Sequence, residues 1–282
     1  MEIKQYNHKK KPVFMYIHGE CLSPNSFNTQ IIELKKDFEI VLPLLDNTFV
    51  SIKQCAKEIV EYICSHYNGH IQVLAGFSLG GQIVAEILAI KNDICEYAII
   101  EGALMYPVKF HNWSDIVAVH FPMLSHNKLF NSFMYYAKYT DTKSEKVYYK
   151  TINDLEIKTV SNMYKELHNY KISSSLDNIT GKLAILVGTR EGREYRKSAD
   201  ILHKQIKNSE IFMLMKYCHG GLSLDHPEEY IRFIKSWVQE KDKQSRIKSE
   251  RKQKEQEFEY MPNWKHLLNW YQSKKENFNT CD

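Results

Sequence analysis

A serine stands between two glycines at Gly76-Phe77-Ser78-Leu79-Gly80, where a short apolar run gives way to an apolar helical pattern. A turn that lifts a serine off the end of a strand crowds the residues two positions to either side, so small residues are needed there. The five-residue pattern alone is common by chance. Here the pattern lies between a predicted strand and a predicted helix, which makes a chance match less probable. It predicts a tight strand-to-helix turn with Ser78 at the tip.

The chain on both sides of this turn alternates between two patterns. Unbroken apolar runs are typical of strands buried on both faces of a parallel sheet. Helical spacing follows most of them, and Ser51 is placed to cap one of these helices. The alternation predicts an α/β fold, with a mostly parallel central sheet flanked by helices. The predicted strands are 12–17, 39–44, 71–75, 96–100, 183–187 and 211–215.

The alternation stops at residues 104–175, which are rich in Tyr, Phe and Met. We interpret this segment as a helical cap inserted into the core, with its aromatic side chains serving mainly in packing. The predicted helical segments are Trp113–Val119, Lys128–Lys138, Ser144–Tyr149 and Leu155–Leu167. The predicted domain organisation is core 1–103, cap 104–175, core 176–240 and a charged C-terminal extension 241–282.

Composition excludes several classes of protein. The formal net charge is only +4, so nucleic-acid binding is not indicated. No apolar run is long enough for stable membrane insertion, and the basic N-terminus lacks the apolar centre of a signal peptide. The six cysteines show no paired spacing and are interpreted as reduced thiols. These features predict a cytoplasmic protein, and its oligomeric state stays open.

A serine nucleophile needs a base, and the base needs an orienting carboxylate. His219 follows the last predicted strand, and Glu191 follows the strand before it. Both are therefore predicted at the same sheet edge as Ser78. Glu194 and Glu101 are alternatives for the carboxylate.

Several motifs in this order resemble the α/β-hydrolase family over roughly residues 12–238. They are His18-Gly19, the turn Gly76 to Gly81, the acid position Gly188-x-x-Glu191, His219-Gly220-Gly221 and His226-Pro227-Glu228-Glu229. The resemblance implies the α/β-hydrolase fold with a helical cap and a Ser-Glu-His triad. The family more often has Asp at the acid position, and some relatives take the acid from the strand that ends at Glu101. Glu101 and Glu194 therefore remain alternatives to Glu191 as the acid.

The resemblance also implies the roles of individual residues. Ser78 is the expected nucleophile, His219 the base and Glu191 its orienting acid. The backbone N–H groups of Glu20 and Leu79 are the expected oxyanion hole, supported by the glycines Gly19, Gly76 and Gly80. His18 is expected to stabilise the oxyanion loop.

These roles predict a serine hydrolase that cleaves a small acyl ester or thioester through an acyl-serine intermediate. Peptidase, C–C hydrolase and acyltransferase chemistry remain alternatives, as does a non-catalytic binding protein on the same fold. No metal-binding or nucleotide-binding motif is present, so no metal and no organic cofactor is expected.

Overall fold

The computed structural model describes residues 1–6, 11–108, 121, 123–124, 127–138, 145–172 and 176–238. The chain divides into two compact units, Met1–Arg232 and Phe233–Asp282. The first unit contains the whole sheet. In the described part of the second, the rings of Phe233 and Trp237 stack with centroids 6.3 Å apart. The predicted C-terminal extension 241–282 lies outside the described residues.

A seven-stranded sheet forms the centre of the first unit, in the order β1-β3-β2-β4-β5-β6-β7. Only β1 is antiparallel to its neighbour. The mostly parallel sheet predicted from the apolar runs is therefore confirmed. The strands are β1 (Ile3–Tyr6), β2 (Val13–Ile17), β3 (Glu39–Pro43), β4 (Ile71–Phe77), β5 (Cys95–Glu101), β6 (Lys182–Gly188) and β7 (Ser209–Leu214).

Helices follow most of the parallel strands and return the chain to the start of the next one. Ser51 caps α2 as predicted, because its hydroxyl accepts the Gln54 N–H at 3.2 Å. The helices of the sheet layer are α1 (Asn28–Leu34), α2 (Ile52–Tyr67), α3 (Leu79–Ile90) and α7 (Arg193–Gln205). A further helix, α8, covers residues 227–238. A 3-10 turn, Pro24–Phe27, precedes α1, and a π-helical turn, Gly221–Asp225, precedes α8.

The first strand was not predicted. Ile3–Tyr6 has no continuous apolar run, and all four of its residues are half-buried. It pairs with β3 at the edge of the sheet, where one side of the strand has no further neighbour. Such edge strands carry a weaker apolar signal than strands buried on both faces.

Three described helices lie between β5 and β6, within the segment predicted as a cap. They are α4 (Lys128–Lys138), α5 (Glu145–Asp154) and α6 (Ile157–Asn169). The predicted helix Trp113–Val119 lies outside the described residues. Tyr135 and Tyr148 are buried with ring centroids 5.3 Å apart, which agrees with the packing role expected of the aromatic residues.

One side chain ties both ends of this helical segment to the sheet layer. The amide nitrogen of Gln82, on α3, donates to the carbonyl oxygens of Leu104 and Leu167, both at 2.8 Å. The Gln82 side chain is fully buried.

None of the helices within the described ranges is both long and apolar enough to cross a bilayer.

Candidate active site

Ser78 lies at the sharp turn between β4 and α3, and its backbone is strained. Its φ of 54° and ψ of −117° lie in a region that side chains other than glycine rarely adopt. The Ser78 N–H donates to the carbonyl oxygen of Glu101 at 2.9 Å, which fixes the turn against the neighbouring strand. The serine therefore sits at the carboxyl edge of the sheet, directly before the N-terminus of a helix.

The flanking glycines are required because main chains approach each other closely there. A Cβ added to Gly80 would lie 2.1 Å from the Ile17 carbonyl oxygen, and one on Gly76 would lie 2.3 Å from the Gly80 oxygen. A Cβ on Gly19 would meet the Phe77 ring at 3.0 Å. No side chain fits at the first two positions without moving backbone.

The structure brings Ser78, His219 and Glu191 into one hydrogen-bonded chain. His219 Nε2 lies 3.1 Å from Ser78 Oγ, and His219 Nδ1 lies 2.6 Å from Glu191 Oε1. A carboxylate at Nδ1 can only accept, so Nδ1 carries the proton and Nε2 is left to accept from the serine. The three residues are 1%, 9% and 7% exposed, so the chain is largely shielded from water.

Glu191 is itself held from two directions. Its Oε2 accepts the Gly188 N–H at 2.6 Å, and its carbonyl oxygen accepts from the Arg196 guanidinium at 3.1 Å. The rings of Phe77 and Tyr195 lie 4.8 and 4.9 Å from the His219 ring, which limits its rotation. The carboxylate and imidazole are therefore preorganised relative to each other.

The alternative acids occupy other positions. The Glu101 carboxyl accepts a hydrogen bond from the Ser223 N–H at 3.2 Å, and burial raises its pKa to about 7. Glu194 lies in the first turn of α7 and is half-buried. Glu191, by contrast, is hydrogen-bonded to His219 Nδ1.

Glu20 contributes a contact that the sequence did not reveal. Its backbone N–H was the feature expected at the site, yet its carboxylate also reaches the Ser78 hydroxyl. Ser78 Oγ donates to Glu20 Oε2 at 3.0 Å, and Glu20 is 1% exposed. The serine proton thus has two acceptors within reach, Glu20 and His219. The position directly after His18-Gly19 was the available signal, since it places this side chain beside the turn.

His18 holds the loop that carries Glu20, as expected. Its Nδ1 donates to the Gly19 carbonyl oxygen at 2.8 Å, and its Nε2 accepts the Leu45 N–H at 3.1 Å. Burial lowers the pKa of His18 to about 4, so it stays neutral. A neutral ring is the form that can donate at one nitrogen and accept at the other.

The expected oxyanion hole remains a prediction, although its two residues lie beside Ser78. Leu79 is the first residue of α3, where backbone N–H groups are free and the helix dipole favours negative charge. Glu20 contacts Ser78 from the loop after β2.

In the described ranges, no group of three His, Cys, Asp or Glu side chains is arranged to hold a metal ion.

No family model and no curated protein matches the sequence. Many solved structures do resemble it. A thermophilic esterase from Thermogutta terrifontis has a TM-score of 0.68 at 16% identity, with 85% of this chain and 93% of that chain covered. MenH from S. aureus has a TM-score of 0.69 at 13% identity, with 85% and 98% covered.

A third similar structure is the 2-hydroxy-6-oxo-6-phenylhexa-2,4-dienoate hydrolase from Rhodococcus. It has a TM-score of 0.66 at 15% identity, with 80% of this chain and 90% of that chain covered. Together with the strand order, these similarities show that the chain has the α/β-hydrolase fold. The predicted fold class is confirmed.

Gly102 provides a test of the carboxylate–imidazole contact. It has a φ of +56°, and an added Cβ would lie 2.8 Å from Glu191 Oε1 and 3.0 Å from His219 Nδ1. We expect Gly102→Ala to break the hydrogen bond between them, because the methyl group takes the space they occupy. In proton NMR spectra, the downfield signal of the His219 Nδ1 proton should be lost.

Gly69→Ala is the matched control, because Gly69 also has a positive φ, of +78°, but its nearest neighbour is the Lys91 side chain. This control should suffer similar backbone strain and keep the signal. A Gly102→Ala protein that is folded and retains the signal would contradict the described geometry.

Proposed function

We propose that the protein is a serine hydrolase that cleaves a carboxylic ester or thioester through an acyl-serine intermediate. The observation that supports it is the hydrogen-bonded chain from Glu191 through His219 to Ser78. A chain of this kind raises the nucleophilicity of a serine hydroxyl, which is otherwise poor at neutral pH.

In the first half-reaction, Ser78 Oγ attacks the acyl carbon and His219 Nε2 takes its proton. The tetrahedral intermediate collapses when the bond to the leaving oxygen or sulfur breaks, and the imidazolium gives that atom the proton. In the second, His219 removes a proton from water, which attacks the acyl-serine, and the proton then returns to Ser78 Oγ. Glu191 keeps its charge throughout and stabilises the imidazolium. No metal or organic cofactor enters these steps.

The negative charge on the acyl oxygen would be stabilised by the N–H groups of Leu79 and Glu20. Leu79 supplies the positive end of the α3 dipole, next to the nucleophile. Each donor of this type contributes about 3–4 kcal/mol to lowering a barrier of acyl transfer.

The Glu20 carboxylate imposes a condition on this mechanism. It accepts a hydrogen bond from the serine hydroxyl in the resting state. The hydroxyl has one proton, so donation to Glu20 competes with donation to His219. The hydroxyl must therefore rotate its proton from Glu20 towards His219 Nε2 before His219 can remove it.

The acyl group is proposed to be small and fairly apolar, because the cap segment is rich in aromatic and Met residues. Peptidase, C–C hydrolase and acyltransferase chemistry use related sites, and the structural neighbours include proteins named as an esterase, as MenH and as a dienoate hydrolase. We prefer ester and thioester cleavage because it needs no catalytic side chain beyond Ser78, His219 and Glu191.

Ser78→Ala tests the nucleophile directly. We expect labelling by a fluorophosphonate probe to disappear and the kcat for p-nitrophenyl butyrate to fall by at least ~10³-fold, since the covalent step loses its oxygen. Ser65→Ala is the control, because Ser65 is exposed and its hydroxyl donates to the Glu61 carbonyl oxygen of its own helix. Folded wild type that neither labels nor hydrolyses any ester or thioester would exclude the proposed function.

Glu191→Gln tests the orienting acid. The amide can donate to Nδ1 and favour the wrong imidazole tautomer, so kcat for the same ester should fall by about 10²–10⁴-fold with KM little changed. Glu194→Gln, one turn further along, should keep turnover close to that of wild type. Near-normal turnover of a folded Glu191→Gln protein would show that the acid is another residue.

Glu20→Gln tests the resting contact. The variant keeps the backbone N–H but replaces a charged acceptor with a neutral one, which weakens a hydrogen bond by about 1 kcal/mol. We expect kcat/KM for p-nitrophenyl butyrate to rise about threefold to tenfold, and the rate of fluorophosphonate labelling to rise with it. A fall of more than about tenfold would mean that the carboxylate assists the chemistry.

A further inference from the structure

Two loops bring the acid and the base of the proposed triad to the same point. The acid loop, residues 189–191, follows β6 and ends at Glu191; the base loop, residues 215–219, follows β7 and ends at His219. The imidazole and the carboxylate meet at 2.6 Å. Because hydrogen bonds weaken steeply when their geometry is disturbed, this contact depends on how the two loops are fixed relative to each other.

Main-chain hydrogen bonds join the two loops beyond the paired strands. The Thr189 N–H donates to the Leu214 carbonyl oxygen at 2.9 Å, and the Arg190 N–H donates to the Tyr217 carbonyl oxygen at 3.0 Å. Gly188 allows this close approach, because an added Cβ there would lie 2.3 Å from the same Tyr217 oxygen. The acid loop is therefore in direct main-chain contact with the base loop.

The acid loop is also attached to the helix that follows it. The Arg196 guanidinium, on α7, donates to the carbonyl oxygens of Thr189 and Glu191, both at 3.1 Å. The Glu191 carboxylate accepts the Gly188 N–H at 2.6 Å, which closes the loop on itself. Held from both sides, the acid loop is a fixed support for whatever rests on it.

The base loop begins with a strained turn. The Tyr217 N–H donates to the Leu214 carbonyl oxygen at 3.3 Å, which closes a four-residue turn with Lys216 as its third residue. Lys216 has a φ of +70°. Turns with a positive φ at this position favour Gly or Asn there, because other side chains are crowded by the backbone. A lysine stays in this conformation only when its surroundings hold it.

The Thr189 side chain reaches across from the acid loop to this strained residue. Its Oγ1 accepts the Lys216 N–H at 2.8 Å. The hydrogen bond of the turn itself uses the next N–H, that of Tyr217, so the Lys216 N–H takes its acceptor from outside the turn. Without the hydroxyl, Lys216 can relax towards an ordinary negative φ, which redirects the chain that leads to His219.

We propose that Thr189 is a positioning residue whose hydroxyl holds the turn at Lys216 in its strained conformation and thereby sets the contact between His219 and Glu191. The consequence for turnover rests on the proposed function. The effect on the hydrogen bond between imidazole and carboxylate does not, because it depends only on the contacts of the two loops.

Thr189→Val tests the hydroxyl, because valine keeps the branched shape and removes the acceptor. We expect exchange of the Lys216 amide hydrogen to become about fivefold faster. The downfield proton NMR signal of His219 Nδ1 should broaden or move upfield as the contact with Glu191 loosens. The kcat for p-nitrophenyl butyrate should fall by about 5- to 50-fold with KM little changed, since misplaced catalytic groups slow the chemical step more than binding.

Thr189→Ser should behave like wild type in all three measurements, because serine restores the acceptor. Thr180→Val is the matched control. Thr180 precedes the other end of β6, and its hydroxyl also joins two loops, by donating to the Asn92 carbonyl oxygen at 3.4 Å. This control should leave the downfield signal and kcat unchanged.

Lys216→Gly separates positioning of the base loop from general packing around Thr189. Glycine adopts a positive φ without steric cost, so the turn no longer needs the hydroxyl. In the Lys216→Gly background, Thr189→Val should keep the downfield signal and lower kcat by less than about twofold. Equal losses in both backgrounds would overturn the proposal, because the hydroxyl would then act by another route.

A folded Thr189→Val protein whose downfield signal and kcat both match those of wild type would likewise overturn it. If Thr189→Val does not fold, the double variant with Lys216→Gly should fold and keep the signal, and its failure to do so would contradict the proposed role. Wild type that cleaves no ester or thioester, while Thr189→Val still moves the His219 signal, would remove the proposed function and leave the role of Thr189 intact.

Discussion

The site depends on the close approach of one helix to the sheet. The main chain at Gly80 lies so near the Ile17 carbonyl that not even a methyl group would fit between them. This approach places the N-terminus of α3 at the carboxyl edge of β2 and β4 and forces Ser78 into its strained conformation. Everything else at the site is arranged around the serine: Glu20 from the loop after β2, Glu191 after β6 and His219 after β7.

Three buried carboxyl groups surround this serine and histidine, and each has a different environment. Glu191 accepts from a backbone N–H and from the imidazole, Glu20 accepts from the serine hydroxyl, and Glu101 accepts from the loop beyond the histidine. Partners of this kind decide how easily a buried carboxyl ionises. Three chemically identical side chains therefore bind three different partners within one small region.

The parallel strands and the order serine, acid, histidine could be predicted because both leave local signals. Buried strands are continuous apolar runs, and parallel strands all end at the same edge. The edge strand Ile3–Tyr6 left no such signal. The contact of Glu20 with Ser78 and that of Glu101 with Ser223 join residues 58 and 122 positions apart, so no local pattern records them. From the sequence, Glu20 was predicted only as a backbone N–H donor and Glu101 only as an alternative to Glu191. The contacts of their side chains could not be predicted, because side-chain direction depends on tertiary packing.

The bonds from Gln82 to Leu104 and Leu167 have a consequence for how such a protein can diversify. The chain leaves the sheet layer and returns to it at two points, and both are fixed by the same buried amide on α3, the helix that begins directly after Ser78. The length and sequence of the chain between Leu104 and Leu167 can change while the turn at Ser78 keeps its geometry. Sequences grafted between these points can thus change what the protein binds without rebuilding the site around Ser78.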